Sequence, residues 1–84
     1  MVIDTSVIIT NFNNSKFIGR CIRSCLKQSL DRSRYEIIVV DDASTDNSRV
    51  VIDSFGDEIV KVYLDKNIGV ARTSNVGIKK ALGA

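Results

Sequence analysis

Hydrophobic positions along the chain form three short runs that predict β-strands. The first, Ser6–Thr10, is rich in β-branched residues, and the second, Glu36–Val40, ends in four successive apolar residues. A strand that is apolar on both faces is typical of a parallel sheet covered on both sides. The third run, Ile59–Leu64, has Lys61 as its single charged residue, which favours a place at the edge of the sheet.

Helical periodicity follows each of these runs. An apolar stripe at a period of 3.6 residues predicts the first helix, with N-cap candidates at residues 13–15; the stripe consists of Phe17, Ile18, Cys21, Ile22, Cys25, Leu26 and Leu30. Because both cysteines lie on this stripe, they are predicted to be small core residues rather than reactive groups.

Two further helices are predicted from turn and capping residues. The second begins after Thr45, with Asp46 in its first turn, and ends at Phe55–Gly56. The third runs from about Gly69 to Leu82, with Gly83 as its C′ residue; its predicted inward face consists of Val70, Ala71, Ser74, Ile78, Ala81 and Leu82.

Strands that alternate with helices predict an α/β fold, βαβαβα, built on a parallel sheet. Because crossovers between parallel strands are right-handed, pairing in the order 3-2-1 places the first two helices on one face. The third helix is then needed to cover the other face. The first strand keeps an open edge, which predicts a homo-oligomer formed by strand pairing.

Composition and charge exclude several classes of function. The chain has 84 residues, enough for one domain, and no histidine, so it holds neither a Ser-His-Asp triad nor a histidine-ligated metal. Two cysteines are too few for a four-cysteine zinc site, and a net charge of +2 does not indicate nucleic-acid binding. No apolar run approaches the roughly 18 residues of a membrane span, and no secretion signal is visible, which predicts a cytoplasmic protein.

Polar segments follow each predicted strand, where open α/β sheets bind ligands. Neither a dinucleotide-binding glycine fingerprint nor a P-loop is present in them. Phe12 is placed either to stack on a base or to pack against the first helix as a hydrophobic staple. Asp41 and Asp42 repel each other and require a partner, unless one caps the second helix and the other is solvated. Arg72 is placed either to meet a phosphate at a helix N-terminus or to be an ordinary exposed arginine.

Three of these segments together resemble the start of family 2 glycosyltransferases, which have the GT-A fold. Residues 6–13 are similar to V-S-V-I-I-P-T-Y-N, residues 36–46 to E-I-I-V-V-D-D-G-S-T-D, and residues 67–78 to N-x-G-x-x-x-A-R-N-x-G-I. The likeness covers nearly the whole chain, in the right order and spacing. The chain departs from the family pattern at Thr10, Phe12, Ala43 and Ser74, where the family usually has Pro, Tyr, Gly and Arg.

The resemblance implies an inverting glycosyltransferase that transfers a sugar from a UDP- or GDP-sugar to an acceptor hydroxyl, as in the synthesis of cell-surface polysaccharides. Residues 1–84 would form its N-terminal nucleotide-binding portion, a three-layer, Rossmann-like half of the GT-A fold. In that portion Phe12 would stack on the base and Asp42 would accept a hydrogen bond from it. The full set of nucleotide-binding residues implied by position is Thr10, Phe12, Asn13, Asp41, Asp42 and Arg72.

Family members continue into a strand that carries a D-x-D metal motif, and their catalytic base comes later still. Neither motif is among the 84 residues, so we expect a Mg or Mn ion only in a full-length enzyme, no catalytic or metal-ligating residue here, and little activity for this chain alone. Membrane association of the full-length protein stays open. A non-catalytic nucleotide-binding or assembly module with the same half-fold is the alternative, whereas a receiver-like signalling domain would carry its acidic pair after the first strand.

Overall fold

Three strands form one parallel sheet with the second strand in the middle. The computed structural model describes residue 3, residues 5–27 and residues 31–81, in which β1 is Thr5–Asn11, β2 is Tyr35–Asp41 and β3 is Val60–Tyr63. β1 pairs with β2 along its whole length, and β3 pairs with the second half of β2. The predicted strand order, 3-2-1, and the edge position of the third strand are confirmed.

β2 is the most buried element, and all seven of its residues are buried. Its alternate residues Tyr35, Ile37 and Val39 belong to a core with the first two helices, α1 (Ser15–Leu26) and α2 (Ser48–Asp53). Because side chains alternate across a strand, Ile38 and Val40 face the opposite side. Both faces of β2 are therefore covered, as its four successive apolar residues, 37–40, predict.

The third helix, α3 (Val70–Lys80), covers that opposite side at very close range. A Cβ atom added to Gly77 would lie 2.5 Å from Cγ2 of Ile8 in β1 and 3.3 Å from Cγ2 of Val40 in β2. Only a residue without a side chain fits at this crossing. The result is the three-layer arrangement of helices, sheet and helix.

The predicted inward face of α3 is wrong. Thr73 and Gly77 are its buried residues, whereas Val70 and Ile78 are 73% and 58% exposed. The periodicity argument selects bulky apolar side chains, but a helix this close to the sheet must turn its small residues inward. The end of the predicted helix, from Leu82 onward, lies outside the described residues.

The apolar stripe of α1 is wider than the surface that the helix buries. Ile18 and Ile22 are buried and Cys25 is half-buried, but Phe17 and Cys21 are exposed. The core position predicted for Cys21 is therefore wrong. Leu30, the last member of the predicted stripe, lies outside the described residues.

α2 begins later than the sequence predicts, at Ser48 rather than after Thr45. The amides of Thr45 and Asp46 donate to the Asn13 side chain in the neighbouring loop, and the Asp46 carboxylate accepts the N–H of Ser48 at 2.9 Å. These contacts hold residues 44–47 as a loop. Across the described part of the chain, no helix has the length and apolar character that a membrane crossing requires.

Candidate functional site

A pocket of about 290 Å³ opens at the carboxyl ends of β1 and β2. Thr10, Asn11 and Phe12 line it from the end of β1 and the loop that follows, and Asp42 lines it from the residue after β2. The remaining wall is the first turn of α3, through Val70 and Thr73. The crevice lies where helices leave for opposite faces of the sheet, which is where open α/β sheets bind ligands.

The pocket brings together three of the residues singled out from the sequence, namely Thr10, Phe12 and Asp42. Phe12 is 49% exposed, does not belong to the core beneath α1 and lines the pocket. Asn11, Val70 and Thr73 are additional wall residues that the sequence argument missed. Thr73 stands in the third motif where the family pattern has alanine, which is the one sequence signal that pointed to it.

The carboxylate of Asp42 is oriented by the turn that precedes α3. Its Oδ1 accepts the N–H of Ile68 at 2.7 Å, and its Oδ2 accepts the N–H of Gly69 at 2.9 Å. Only 4% of Asp42 is exposed, so the predictions of a solvated residue or of a cap on α2 are both wrong for it. Because a carboxylate has about four lone-pair sites, Asp42 keeps acceptor capacity for a group inside the pocket.

Asp41, its neighbour, is fully buried and accepts hydrogen bonds from three other residues. The donors are Nδ2 of Asn11 at 2.9 Å, the hydroxyl of Ser44 at 2.6 Å and its N–H at 2.9 Å, and Nε of Arg49 at 2.9 Å. Burial by itself would raise the pKa of the Asp41 carboxyl, but these hydrogen bonds outweigh it and hold the pKa below its usual value. Asp41 lies on the α2 side of the sheet and is not part of the pocket wall.

Arg49 joins this carboxylate to the end of β3. Its Nη2 donates to the carbonyl of Leu64 at 2.6 Å, and its guanidinium lies 4.8 Å from the centre of the Tyr63 ring. One side chain from α2 therefore connects β2 and β3 immediately below the site. The sequence argument missed Arg49 because its partner stands eight residues away in another element.

Asn13 connects the two loops that border the pocket. Its Oδ1 accepts the N–H of Thr45 at 2.7 Å, and its own N–H donates to the Ser44 hydroxyl at 2.9 Å. Asp46 completes the connection by accepting the N–H of Ser15, the first residue of α1, at 3.1 Å. Asn13 lies outside the pocket wall and holds the loops together.

Two residues of these loops have left-handed backbone conformations, Asn13 with φ 49° and Ala43 with φ 60°. Asparagine is enriched in this region, whereas alanine is disfavoured there. Ala43 stands where the family pattern has glycine, so the departure noted in the sequence coincides with local backbone strain.

Arg72 is exposed on α3 and does not line the pocket. The residues of this turn that line the pocket are Val70 and Thr73. Its position is that of an ordinary exposed arginine. A measurement with bound ligand is what distinguishes this role from a contact with a phosphate.

A metal site does not form among the residues that the structure describes. No group of three or more Cys, Asp or Glu residues there is arranged to hold a metal ion. The acidic pair is also unsuited to that role, because Asp41 is paired with Arg49 and Asp42 is oriented by two backbone amides. The described residues therefore do not fit a divalent cation.

A parallel sheet with helices on both faces and a crevice at its strand ends defines a Rossmann-like domain. The sequence profile described as glycosyl transferase family 2 matches residues 6–84. The chain belongs to this family.

Individual relatives agree with this assignment. The glycosyltransferase GlyG of Streptococcus pneumoniae is 40% identical over 81 residues, which make up 93% of this chain and 26% of GlyG. The crystal structure of Staphylococcus aureus TarS 1–349 in complex with UDP-GlcNAc superposes with a TM-score of 0.88 at 30% identity, covering 96% of this chain and 24% of that one. The GT-A-type arrangement predicted from the sequence is confirmed by this similarity.

A more distant structure shares the fold alone. It is the mannosyltransferase PcManGT from Pyrobaculum calidifontis in complex with GDP-Man and Mn²⁺, with a TM-score of 0.79 at 22% identity, covering 92% of this chain and 24% of that one. The chain thus spans about a quarter of the length of each of these three proteins.

Proposed function

We propose that this chain binds the nucleotide of a UDP-sugar and forms the N-terminal donor-binding portion of an inverting glycosyltransferase. The observation that carries the proposal is the pocket that places an exposed aromatic ring, Phe12, beside a buried, oriented carboxylate, Asp42. An aromatic face and an acceptor-only group are complementary to a nucleobase, which has a π-face and N–H donors. The UDP-GlcNAc complex of TarS supports uridine over guanosine as the nucleoside.

Six residues have specific roles in this proposal, four in the pocket wall and two behind it. Phe12 stacks on the uracil ring, and Asp42 accepts the uracil imide N–H with the lone pairs that the Ile68 and Gly69 amides leave unused. Thr10 and Val70 bound the pocket on either side. Asn13 and Asp41 act indirectly, because they hold the surrounding loops and strand ends.

Sugar transfer requires two further groups, a base that deprotonates the acceptor hydroxyl and a positive charge that offsets the departing diphosphate. Among the described residues that line the pocket, the single carboxylate, Asp42, is assigned to the base, and no lysine or arginine is present to offset the diphosphate. We therefore assign donor binding alone to this chain. A divalent cation, if the full-length enzyme uses one, is held by residues beyond those described.

The first test is titration of the chain with UDP and with GDP, observed by calorimetry and by NMR. We expect saturable UDP binding with shifts at Phe12 and Asp42. Phe12→Ala should weaken binding by about 1–3 kcal/mol, the range found when a stacked aromatic is removed. Phe17→Ala is the matched control, because Phe17 is 55% exposed on α1 and does not line the pocket. Equal losses in both variants, or no saturable UDP binding, would contradict the proposal.

The role of Asp42 is better tested on the ligand, because its replacement would also remove acceptors from Ile68 and Gly69. UDP methylated at the uracil imide nitrogen has no hydrogen to donate. We expect it to bind at least about tenfold more weakly than UDP, since a hydrogen bond to a charged group contributes about 1.5–3 kcal/mol. Equal affinities would exclude Asp42 as the acceptor. UDP binding without any transfer by the full-length protein would favour the non-catalytic module.

We also propose that the open edge of β1 pairs with a strand of a second copy of this chain and so forms a homo-oligomer. Among the described residues β1 has a partner on one side only, and unpaired backbone groups favour association between chains. Light scattering across a concentration series should show dimers or larger species. A monomer that persists at the highest concentration would contradict this part of the proposal.

A further inference from the structure

Thr73 is a fully buried polar residue in the first turn of α3 and lines the pocket. Its Oγ1 donates to the carbonyl oxygen of Gly69 at 2.7 Å, and its backbone N–H donates to the same oxygen at 2.9 Å. The hydroxyl is therefore committed to the residue immediately before the helix.

The peptide groups on either side of Gly69 are fixed by hydrogen bonds rather than by a side chain. Gly69 has a φ of 90°, a conformation that only glycine adopts readily. Its N–H donates to Asp42 and its carbonyl accepts from Thr73, so contacts on both sides set its orientation. The adjacent N–H of Ile68 donates to the other oxygen of Asp42.

We propose that Thr73 is a positioning residue of the nucleotide pocket: its hydroxyl holds the Gly69 carbonyl so that the Ile68 and Gly69 amides orient the Asp42 carboxylate. This inference rests on the proposed function, in which Asp42 accepts a hydrogen bond from the base. A helical threonine often bonds to the carbonyl four residues earlier without further effect. Here that carbonyl belongs to Gly69, whose amide contacts Asp42. The side chains of Thr73 and Asp42 line the same pocket.

The test compares Thr73→Val with Thr73→Ser in the full chain. Valine keeps the volume but replaces the hydroxyl with a methyl group, which cannot lie 2.7 Å from an oxygen because non-bonded heavy atoms prefer about 3.5–4.0 Å. We expect the Kd for UDP to rise about three- to tenfold in Thr73→Val. Thr73→Ser keeps the donor and should stay within about twofold of the unchanged chain. Thr5→Val, at an exposed position that begins β1, is the matched control.

A second measurement needs no ligand. Hydrogen exchange of the Ile68 and Gly69 amides should accelerate about three- to tenfold in Thr73→Val, and more than exchange of the Val39 amide at the centre of the sheet. Equal acceleration at all three amides would mean that Thr73 only stabilises the fold, and would overturn the proposal. So would an unchanged Kd in Thr73→Val, or equal losses in the valine and serine variants.

The two measurements separate this inference from the function on which it rests. If the unchanged chain does not bind UDP, the proposed function fails, and amide exchange still decides whether Thr73 holds the turn that orients Asp42. If UDP binds but Thr73→Val leaves both the Kd and the amides unaffected, the function stands and the role of Thr73 is refuted.

Discussion

Arg49 in α2 pairs with Asp41 at the end of β2, with 2.9 Å between Nε and Oδ2. The arginine side chain is 36% exposed, whereas that of Asp41 is completely buried. The two partners are therefore not equivalent. Arg49 can be hydrated when the pair is broken, but Asp41 cannot, so most of the energetic consequence depends on the carboxylate.

Arg49→Met should destabilise the fold by roughly 2–3 kcal/mol. The substitution leaves a buried carboxylate with neutral donors only, and the partial exposure of Arg49 places the cost below that of a fully buried pair. Urea denaturation at neutral pH measures the change. Arg20→Met, at an exposed position of α1, should change the free energy of unfolding by no more than about 0.5 kcal/mol. Similar losses in the two variants would rule out a special role for the Asp41 pair.

Stability should depend on the ionisation of Asp41 in acid. Burial opposes ionisation of this carboxyl, but hydrogen bonds from Ser44, Asn11 and Arg49 hold its folded-state pKa below its usual value. The unfolded chain has an aspartate pKa of about 3.9, so the stabilisation is present above that pH and is lost as the pH falls through the folded-state pKa.

Asp41→Asn isolates this contribution. Its free energy of unfolding should be lower than that of the unchanged chain at about pH 7, and the gap should narrow below about pH 4. Urea denaturation of both proteins over this range is the measurement. A gap that stays constant down to about pH 2 would show that the ionised form of Asp41 contributes nothing to stability.

Ala43→Gly should stabilise the chain by about 0.5–1 kcal/mol. Ala43 has a φ of 60°, which costs a residue with a Cβ atom about 1–2 kcal/mol, and glycine recovers this after a smaller loss to unfolded-state entropy. Ala71→Gly, in the helical backbone of α3, is the matched control and should destabilise by about 0.5–1 kcal/mol. Thermal unfolding that moves in the same direction for both variants would contradict the backbone argument.

Gly77→Ala should destabilise the fold by about 1–3 kcal/mol, although alanine is the better helix former. The new methyl group would lie 2.5 Å from Ile8 Cγ2 and could be accepted only if α3 moved away from the sheet. Gly19→Ala in α1 is the control, because its nearest neighbour is the Val51 side chain at 3.1 Å and a small shift is sufficient. Denaturation midpoints that change equally at the two glycines would argue against the close crossing of α3.

The strands, their order and the position of the crevice could be predicted from the sequence because they depend on local pattern and chain handedness. Residues 37–40 form an apolar run that is typical of a strand covered on both faces, and right-handed crossovers leave one arrangement of helices. Phe12 and Asp42 could be placed at the crevice because each follows a predicted strand.

The inward face of α3 could not be predicted, since it depends on how closely the helix approaches the sheet. Thr73 and Gly77 face the sheet because their side chains are small enough for the close approach of α3. Hydrophobic periodicity does not detect such positions, since it identifies an inward face by its bulky apolar residues. Three partners of the acidic pair were equally invisible, because Arg49 contacts Asp41 from α2, and Ile68 and Gly69 contact Asp42 from the turn before α3. Only assembly of the sheet brings these groups together.

The side-to-side alternation at the end of β2 has a consequence for protein engineering. Asp41 and Asp42 are adjacent in sequence, yet one contacts Arg49 in α2 and the other contacts the turn before α3. A combinatorial library aimed at a new ligand can therefore randomise positions 12 and 70, which line the pocket, while leaving 41 and 42 untouched. Ligand preference can then be selected without disturbing the contacts of either carboxylate.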